Sequence, residues 1–324
     1  MMIVSLVMFI ASNLMLIRNI KRVRIWHLVF FCIGSMALLG AKLQCVVILP
    51  LIIFLIIRYS IIIKKRLVAF ILVPIISFYS YGVYFDVAID FQIVKQTIYH
   101  SIFYGLLMDS DDPAQALKDL GLNTDMVCEI GKHSYLPKDQ YVKYDPYSQL
   151  TKKEFNDKIS YTKIVKFYIT HPRHLYKALQ YTAENSFNTG TFLGKYEKGV
   201  LEDYDHNIRN HYWSSLRKSV MPKNIAFITG FFILLILMSL YEYKKSQNLK
   251  NKLLIELFCV IMVIGLLQYP MPYILNGKAD VAKQLYLFNM IFDIMIFVSI
   301  VYIIKNVPNM ILTKFPYLVK RDKK

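Results

Sequence analysis

The sequence predicts an all-α membrane protein with about seven transmembrane helices and one large, mainly helical extracytoplasmic domain. The first observation behind this prediction is composition. Apolar residues make up 56% of the 324 residues and charged residues only 19%, which is typical of multi-spanning membrane proteins. The second is charge distribution: the one long polar segment, residues 86–222, is neutral with 17 basic and 17 acidic residues, although the chain carries a formal charge of +17.

The excess positive charge therefore lies outside the polar segment, beside apolar runs. Most of it falls in four short stretches: 18–24, 58–66, 244–252 and 305–324. Lys and Arg concentrated in short loops next to apolar spans mark the cytoplasmic face of a membrane, whereas a nucleic-acid-binding protein carries its charge on a folded polar surface. We therefore predict that these stretches lie inside and residues 86–222 outside, and that nucleic acid is not a partner.

Seven apolar stretches meet or approach the roughly 17 to 25 residues that a transmembrane helix needs. They are residues 1–17, 25–40, 45–57, 67–85, 224–241, 253–275 and 283–304. This pattern predicts four parts of the chain, which are 1–85 with transmembrane helices 1–4, the extracytoplasmic domain 86–222, 223–304 with transmembrane helices 5–7, and a basic cytoplasmic tail 305–324.

The second and third spans need an argument, because residues 25–57 are almost continuously apolar. As one helix they would be about 50 Å long at ~1.5 Å per residue, against a hydrocarbon core of ~30 Å. Both flanks are basic and so belong on the same side. Two short crossings that meet at residues 41–44 satisfy both facts, and the resulting orientation has the amino terminus outside and the carboxy terminus inside.

The polar segment shows helix signals. Asp112 can cap a helix that has Pro113 at its first position and Gly121 at its end. Residues 151–154 (TKKE) have capping-box spacing, and a further helix is expected from Pro172 to about Asn185. Apolar residues at helical spacing lie between them: Phe155, Ile159, Ile164 and Phe167.

Lys42 and Gln44, at the tip of the predicted hairpin, are the first candidate site residues. A lysine at membrane depth normally pairs with another group or marks a pathway, and a lipid phosphate would suit it on the outer face. The structural alternative is a lysine that snorkels to the interface. Lys283, at the start of the last span, is a second candidate cation for the phosphate.

Two further groups can be read either as chemistry or as structure. Asp293, near the middle of the last span, is either the partner of a polar group on a neighbouring helix or a proton-handling group. The carboxylates of residues 109–112 (DSDD) have the chemistry to bind a divalent cation, the one cofactor that the sequence leaves open. Helix capping already explains Asp112, however.

A second site is a hypothesis for His171, Arg173 and His174, which could recognise a phosphate or act as acid and base. A His-Pro pair at a helix start is commonly only a cap and a turn. The carboxylates and imidazoles of residues 203–211 lack the spacing of a helical zinc site, so no metal is predicted there.

Three stretches of sequence occur together that carry a family resemblance. They are residues 35–44 (SMALLGAKLQ), 100–110 (HSIFYGLLMDS) followed by 120–122, and 276–289 (NGKADVAKQLYLFN) with Asp293. They resemble the carboxy-terminal part of bacterial surface-glycan hexose transferases of the WsfD type, which are similar to GT-C glycosyltransferases. The resemblance covers roughly residues 34–293, and it departs from the family at Gln284 and Tyr286, where His and Phe are more usual.

This resemblance implies transfer of a hexose from a polyprenyl-phosphate sugar to a surface-glycan acceptor at the outer face of a bacterial cell membrane. A carboxylate would act as general base on the acceptor hydroxyl, and Lys42 with Lys283 would neutralise the leaving lipid phosphate. GT-C enzymes usually carry the carboxylate in the first outer loop, but residues 41–44 hold none. Either the catalytic part precedes Met1 in a longer protein or the chain does something else; within the chain, Asp86 and Asp90 are weak candidates.

Two other functions stay open. A polymerase or ligase of the O-antigen type would use His171 and Arg173 on a lipid-diphosphate substrate. A non-catalytic transporter or assembly subunit for lipid-linked glycans would need a polar path through the bundle, for which Gln268, Asn289 and Asp293 are the candidates.

Overall fold

The computed structural model describes residues 1–89, 91–188 and 212–314, and their regular structure is entirely helical. The α-helices are α1 (Met2–Arg18), α2 (Ile25–Leu39), α3 (Leu49–Ile62), α4 (Arg66–Ile89), α5 (Phe91–Ser101), α6 (Pro113–Asp119), α7 (Gln149–Thr151), α8 (Tyr161–Thr170), α9 (Pro172–Glu184), α10 (Tyr212–Val220), α11 (Ile225–Lys245), α12 (Leu249–Gln268), α13 (Met271–Asn276), α14 (Val281–Gln284) and α15 (Tyr286–Lys314). Short 3₁₀ helices lie at Leu43–Ile48, Thr124–Glu129 and Lys138–Gln140, and π-helical turns at Ile102–Leu106 and Lys152–Asn156.

Within the described residues, five helical stretches are long and apolar enough to cross a membrane. They are Leu43–Ile62, Arg66–Tyr84, Ile225–Lys245, Leu249–Asn276 and Tyr286–Lys305. The apolar helices α1 and α2 are shorter, at 17 and 15 residues. Together these seven follow the order of the predicted spans, and the predicted fold class, an all-α membrane protein, is confirmed.

The predicted break in residues 25–57 is present. Helix α2 ends at Leu39, and Gly40 packs so closely that a Cβ on it would lie 2.3 Å from the Tyr79 hydroxyl oxygen. The chain then turns through Ala41 and Lys42 into the 3₁₀ helix that leads to α3. At ~1.5 Å per residue α2 is only about 23 Å long, as a short crossing requires.

One end of the bundle brings basic loops together. Lys250 Nζ donates to the Arg18 carbonyl oxygen at 2.6 Å. Arg58 makes a two-pronged contact with Glu256, at 2.9 Å from Nε and 2.8 Å from Nη2, and Glu256 also accepts from the Tyr243 hydroxyl at 2.9 Å. The stretches 18–24 and 244–252 are therefore in direct contact, and Arg58 of a third stretch reaches the same end of α12 through Glu256.

Three buried polar residues considered for a path through the bundle have partners. Arg217 of α10 donates to Asp293 of α15 at 2.5 Å, and the two are 2% and 7% exposed. Asn289 Oδ1 accepts from the Phe187 backbone N–H at 3.0 Å. An unpaired carboxylate at this depth would be costly, so Arg217 supplies the partner that the structural interpretation of Asp293 requires. Gln268, the third residue considered for a polar path, pairs with Gln44.

The polar segment has a hydrophobic core of its own. Its most buried members include Tyr99, Phe103, Phe155 and Ile164. Helix α13 adds Tyr273 and Ile274 to this core. It is separate from α12 because Pro270 and Pro272 lack the N–H groups that would continue the helix. The end of a membrane-spanning element is thus inserted into the core of the polar segment.

The predicted start of α6 is confirmed, whereas the helix start predicted at residues 151–154 is wrong. Asp112 accepts from the Gln115 N–H at 3.0 Å, and Gly121 ends the helix with a φ of +74°. Residues 151–154 do not form a capping box, because Ser148 accepts from the Thr151 N–H at 3.1 Å and starts the helix three residues earlier. The last predicted helix is present as α9, which begins at Pro172.

The orientation of the bundle is a testable prediction. We expect a cysteine at Lys138 to react with an impermeant thiol reagent on intact cells and one at Gln247 to react only after permeabilisation, because positive charge marks the cytoplasmic face. Both positions are exposed, and the variants are made in a background without Cys32, Cys45, Cys128 and Cys259. Labelling at 247 but not at 138 would invert the predicted orientation.

Candidate functional site

A cavity of about 260 Å³ lies between the hairpin tip, α5 and α13. Its wall is largely apolar, with Val94, Pro272 and Leu275 among its lining residues. The polar lining residues come from three separate parts of the sequence: Lys42, Gln44, Thr97, Tyr161, Asn276 and Gln284. We call this the Lys42 cavity. It combines an apolar wall with one cationic side chain, so an amphiphilic anion would match it.

A network of amide side chains fixes the hairpin tip. Gln44 Nε2 donates to Gln268 Oε1 at 2.7 Å and to the Gln284 carbonyl oxygen at 3.2 Å, and Gln268 Nε2 donates back to the Gln44 carbonyl oxygen at 3.1 Å. Lys42 Nζ donates to Gln284 Oε1. Gln44 and Gln268 are 5% and 0% exposed, and their buried amides are satisfied by one another. The network therefore holds Lys42 at the cavity wall.

The charge on Lys42 is poorly compensated. Burial, and next the positive charge of Lys283, lower the pKa of Lys42 to about 8, while the charges of Cys45 and Asp280 act in the opposite direction. No ion pair of Lys42 or Lys283 forms among the residues that the structure describes. Burial and a neighbouring cation both disfavour the charged form of Lys42, and the Asp280 charge opposes them only in part, so a bound phosphate would stabilise the Lys42 ammonium. Of the three predicted phosphate-binding residues, Lys42 and Gln44 line the cavity and Lys283 acts on it through its charge.

Asp280 is a site residue that the sequence analysis missed. Its side chain is exposed, and its backbone has the left-handed conformation, with φ +52° and ψ +29°. In the described part of the chain its carboxylate has no hydrogen-bond or ion-pair partner, yet its charge acts on both Lys42 and His100. Asp280 is thus an unengaged carboxylate beside the Lys42 cavity. The sequence signal that could have pointed to Asp280 is its position within residues 276–289, one of the stretches that carry the family resemblance.

Residues 276–284 are anchored by a close approach of two backbones. The position that a Cβ would take on Gly277 is 2.3 Å from the His100 carbonyl oxygen and 2.8 Å from that of Tyr104, and a Cβ on Gly105 would lie 2.7 Å from Gly277 Cα. The Lys278 N–H donates to the Tyr104 carbonyl oxygen at 2.9 Å. Two of the three stretches that carry the family resemblance therefore pack directly against each other.

A second anchor runs through His100. Its Nδ1 lies 2.9 Å from Asn276 Oδ1 and its Nε2 lies 2.8 Å from Ser134 Oγ. This order of atoms is that of a Ser-His-Asn hydrolase triad, but His100 and Ser134 are both 0% exposed and no substrate atom reaches them. Burial lowers the pKa of His100, and the Asn276 hydrogen bond only partly opposes this. A neutral His100 therefore orients the Asn276 amide in the cavity wall.

The Gly277 contact predicts a specific sensitivity. We expect Gly277→Ala to lower the melting temperature of the purified protein by far more than Gly131→Ala. Both glycines have a positive φ, which costs a residue with a Cβ about 1–2 kcal/mol. Only Gly277 also meets backbone atoms, whereas Gly131 faces open space.

Differential scanning fluorimetry in one detergent provides the comparison. Equal shifts in the melting temperatures of the two variants would show that the close approach is not required.

The carboxylates of residues 109–112 are engaged by cations and a tyrosine. Asp109 accepts from Lys278 at 2.6 Å and from the Tyr273 hydroxyl. Lys177 donates to Asp111 at 2.6 Å and to the Asp109 carbonyl oxygen at 2.9 Å. In the described ranges, no three His, Cys, Asp or Glu side chains are arranged to hold a metal ion. The carboxylates instead join α9 and residues 276–284 to the turn at residues 108–111.

The three residues of the hypothetical second site contact the same region of the polar segment. The contacts are His171 Nε2 with Asp119 at 3.2 Å, Arg173 with Asp111 at 3.3 Å, and His174 Nε2 with Ser110 Oγ at 3.2 Å. Burial, followed by the charges of His171 and Lys177, lowers the pKa of His174. Each side chain thus has a protein partner at the start of α9.

Some predicted residues lie outside the described part of the chain. The side chain of Asp86, the whole of Asp90, and residues 203–211 are among them. Within the described residues, Asp280 is a carboxylate whose charge acts on Lys42.

Residues 1–323 match the model of the family described as the YfdI N-terminal transmembrane domain. No curated protein and no solved structure shows significant similarity to the chain.

Proposed function

The chain belongs to the family of the YfdI N-terminal transmembrane domain, and from this premise we propose that it is a membrane glycosyltransferase. The proposed reaction transfers a hexose from a polyprenyl-phosphate sugar to a surface-glycan acceptor. The proposed place is the outer face of the bacterial cell membrane. This proposal retains the sequence-based expectation of a WsfD-type, GT-C-like enzyme. It adds one element, a carboxylate that serves as the general base.

The observation that carries the proposal is Lys42 at an apolar cavity, with the charge of the exposed Lys283 acting on it. Lys42 and Lys283 repel each other, and burial disfavours the charge on Lys42. A phosphodiester would compensate both charges, while the apolar wall formed by residues such as Val94 and Leu275 would accept the first isoprene units. A soluble sugar phosphate would leave that wall unused, so the cavity favours a lipid-linked donor.

Asp280 is the proposed general base. It would take the proton from the acceptor hydroxyl as that oxygen attacks the anomeric carbon of the hexose. The bond between this carbon and the phosphate oxygen breaks, and the polyprenyl phosphate leaves with both electrons and a second negative charge. Lys42 and Lys283 stabilise that charge as it develops, which is where fixed cations contribute most to the rate.

Lys42 gives the donor-binding test. We expect Lys42→Gln to weaken binding of polyprenyl-phosphate glucose in nanodiscs by roughly 10- to 100-fold, the range of a charge-assisted hydrogen bond. Binding to the unmodified protein should weaken as pH rises through about 8, because the free Lys42 ammonium deprotonates there. Lys42→Arg should retain binding and lose this pH dependence, since arginine stays charged.

Lys138→Gln is the matched control, because it removes one exposed lysine from the polar segment. Unchanged affinity in Lys42→Gln would leave Lys42 as an interfacial lysine and remove the basis of the proposal.

Asp280 gives the catalytic test. We expect Asp280→Asn to lower hexose transfer at saturating donor by roughly 10²- to 10⁴-fold, the usual contribution of a general base; saturation is required because the Asp280 charge also acts on Lys42. Asparagine accepts the left-handed backbone conformation as aspartate does, so the loop is preserved. Transfer is measured with a radiolabelled donor and membranes that contain the glycan acceptor.

Asp139→Asn, an exposed carboxylate elsewhere in the polar segment, serves as control. Full transfer activity in Asp280→Asn would exclude Asp280 as the base.

A further inference from the structure

A polar groove of about 420 Å³ lies between α9 and residues 108–111, and neither the donor cavity nor the proposed base accounts for it. Tyr176, Lys177, Gln180, Tyr181 and Glu184 line it from α9, and the 108–111 turn forms the other wall. Its size is that of a small-molecule site. Its lining combines carboxylates, an amide, a hydroxyl and two aromatic rings.

Most charges in and beside this groove are paired with opposite charges, and Glu184 accepts from Gln180 Nε2 at 2.9 Å. Lys278 pairs with Asp109 at 2.6 Å, and Lys177 pairs with Asp111 at 2.6 Å. Arg173 also contacts Asp111, at 3.3 Å. Because cations and carboxylates balance, the groove carries no net field that would select an ion. What it offers is a rigid set of hydrogen-bond donors and acceptors, which suits a neutral ligand with many hydroxyl groups.

The aromatic rings point to the same class of ligand. Tyr176 is 60% exposed. Lys278 Nζ lies 5.1 Å from the centre of the Tyr181 ring and occupies one of its faces, so the exposed Tyr176 ring is the better platform for a ligand. An aromatic face is electron-rich and attracts the C–H edge of a sugar ring, while the hydroxyl remains free for hydrogen bonds. An exposed tyrosine beside fixed carboxylates therefore provides both kinds of contact that a sugar ring makes.

The position of the groove relates it to the proposed base. Lys278 at the groove edge and Asp280 are two residues apart, so their Cα atoms lie within about 7 Å. Tyr273, which holds Asp109, directly follows Pro272, which lines the Lys42 cavity. Helix α13 and residues 276–284 thus separate the groove from the donor cavity. A chain of sugars with one ring at Asp280 would continue into the groove.

We propose that this groove binds the acceptor glycan, at sugar rings next to the one that receives the hexose. The inference rests on the proposed function, because the bound glycan is an acceptor only if the chain transfers a hexose to it. It assigns acceptor binding to α9 and residues 108–111. Recognition would fall on uncharged sugars, through Tyr176 stacking and hydrogen bonds to Gln180 and Glu184.

Photo-crosslinking in membranes of the native host tests this assignment. Tyr176→p-benzoylphenylalanine should give, after irradiation, an adduct of higher mass that stains for periodate-sensitive carbohydrate. Tyr212→p-benzoylphenylalanine is the control, because Tyr212 is 87% exposed and lies on α10. In the Tyr176 variant, the further change Gln180→Ala should reduce the adduct at least fivefold.

A carbohydrate adduct at 176 and not at 212 supports the groove. No adduct at 176, an equal adduct at 212, or an adduct that contains protein without carbohydrate overturns it. The outcome is independent of the donor test. A glycan adduct with no hexose transfer would support the groove as a glycan-binding site and reject the transferase function. Hexose transfer without an adduct would support the transferase function and reject the groove.

Kinetics provide the second measurement. Tyr176→Ala should raise the acceptor KM at least fivefold and leave kcat and donor affinity unchanged, because it removes ground-state binding far from the bond that breaks. A fall in kcat with KM unchanged would place Tyr176 outside acceptor binding.

Discussion

The contact of Gly105 with Gly277 is the constraint on which the arrangement of the polar segment depends. It brings the π-helical turn at Ile102–Leu106 against the end of α13, with backbone atoms rather than side chains as the contact surface. The Ser101 hydroxyl adds a hydrogen bond to the Ile274 carbonyl oxygen at 2.6 Å. Side chains can repack around a small shift, but two backbones in contact cannot, so α13 has one position relative to α5. The Lys42 cavity and the polar groove lie on its two sides and inherit that position.

Local sequence signals predicted local structure well. The break at residues 41–44, the Asp112 cap and the start of α9 at Pro172 each depend on a few neighbouring residues, and each is present. The helix start predicted at residues 151–154 is the exception, and it too is decided by neighbouring residues. A second capping residue, Ser148, lies three positions earlier and forms the hydrogen bond instead. A pattern does not say which of two adjacent caps the chain will use.

Sequence reasoning singled out the cations of the candidate site but not the residues that hold Lys42 in place. Lys42 was recognisable because a charge next to an apolar span is unusual, whereas Gln268 was considered only for a polar path, and its pairing with Gln44 depends on the hairpin tip lying beside it. Asp280 was similarly hidden, since nothing local distinguishes its carboxylate. Asp293 required a partner on physical grounds, but that Arg217 supplies it could not be read from the pattern. Arg217 belongs to the segment that the charge count treats as solvent-exposed, and it is almost fully buried.

Residues 276–284 also carry a constraint on length. Lys278 is fixed to Asp109 and Gln284 to Lys42, so both ends of this short connection are attached to different parts of the molecule, with Asp280 between them. Surface connections are usually the places where evolution adds and removes residues freely. Here one added residue would rotate Asp280 away from Lys42 or detach one of the two ends. Natural variation in this family should therefore appear as substitutions within these nine positions, and insertions should be confined to connections that have only one attachment.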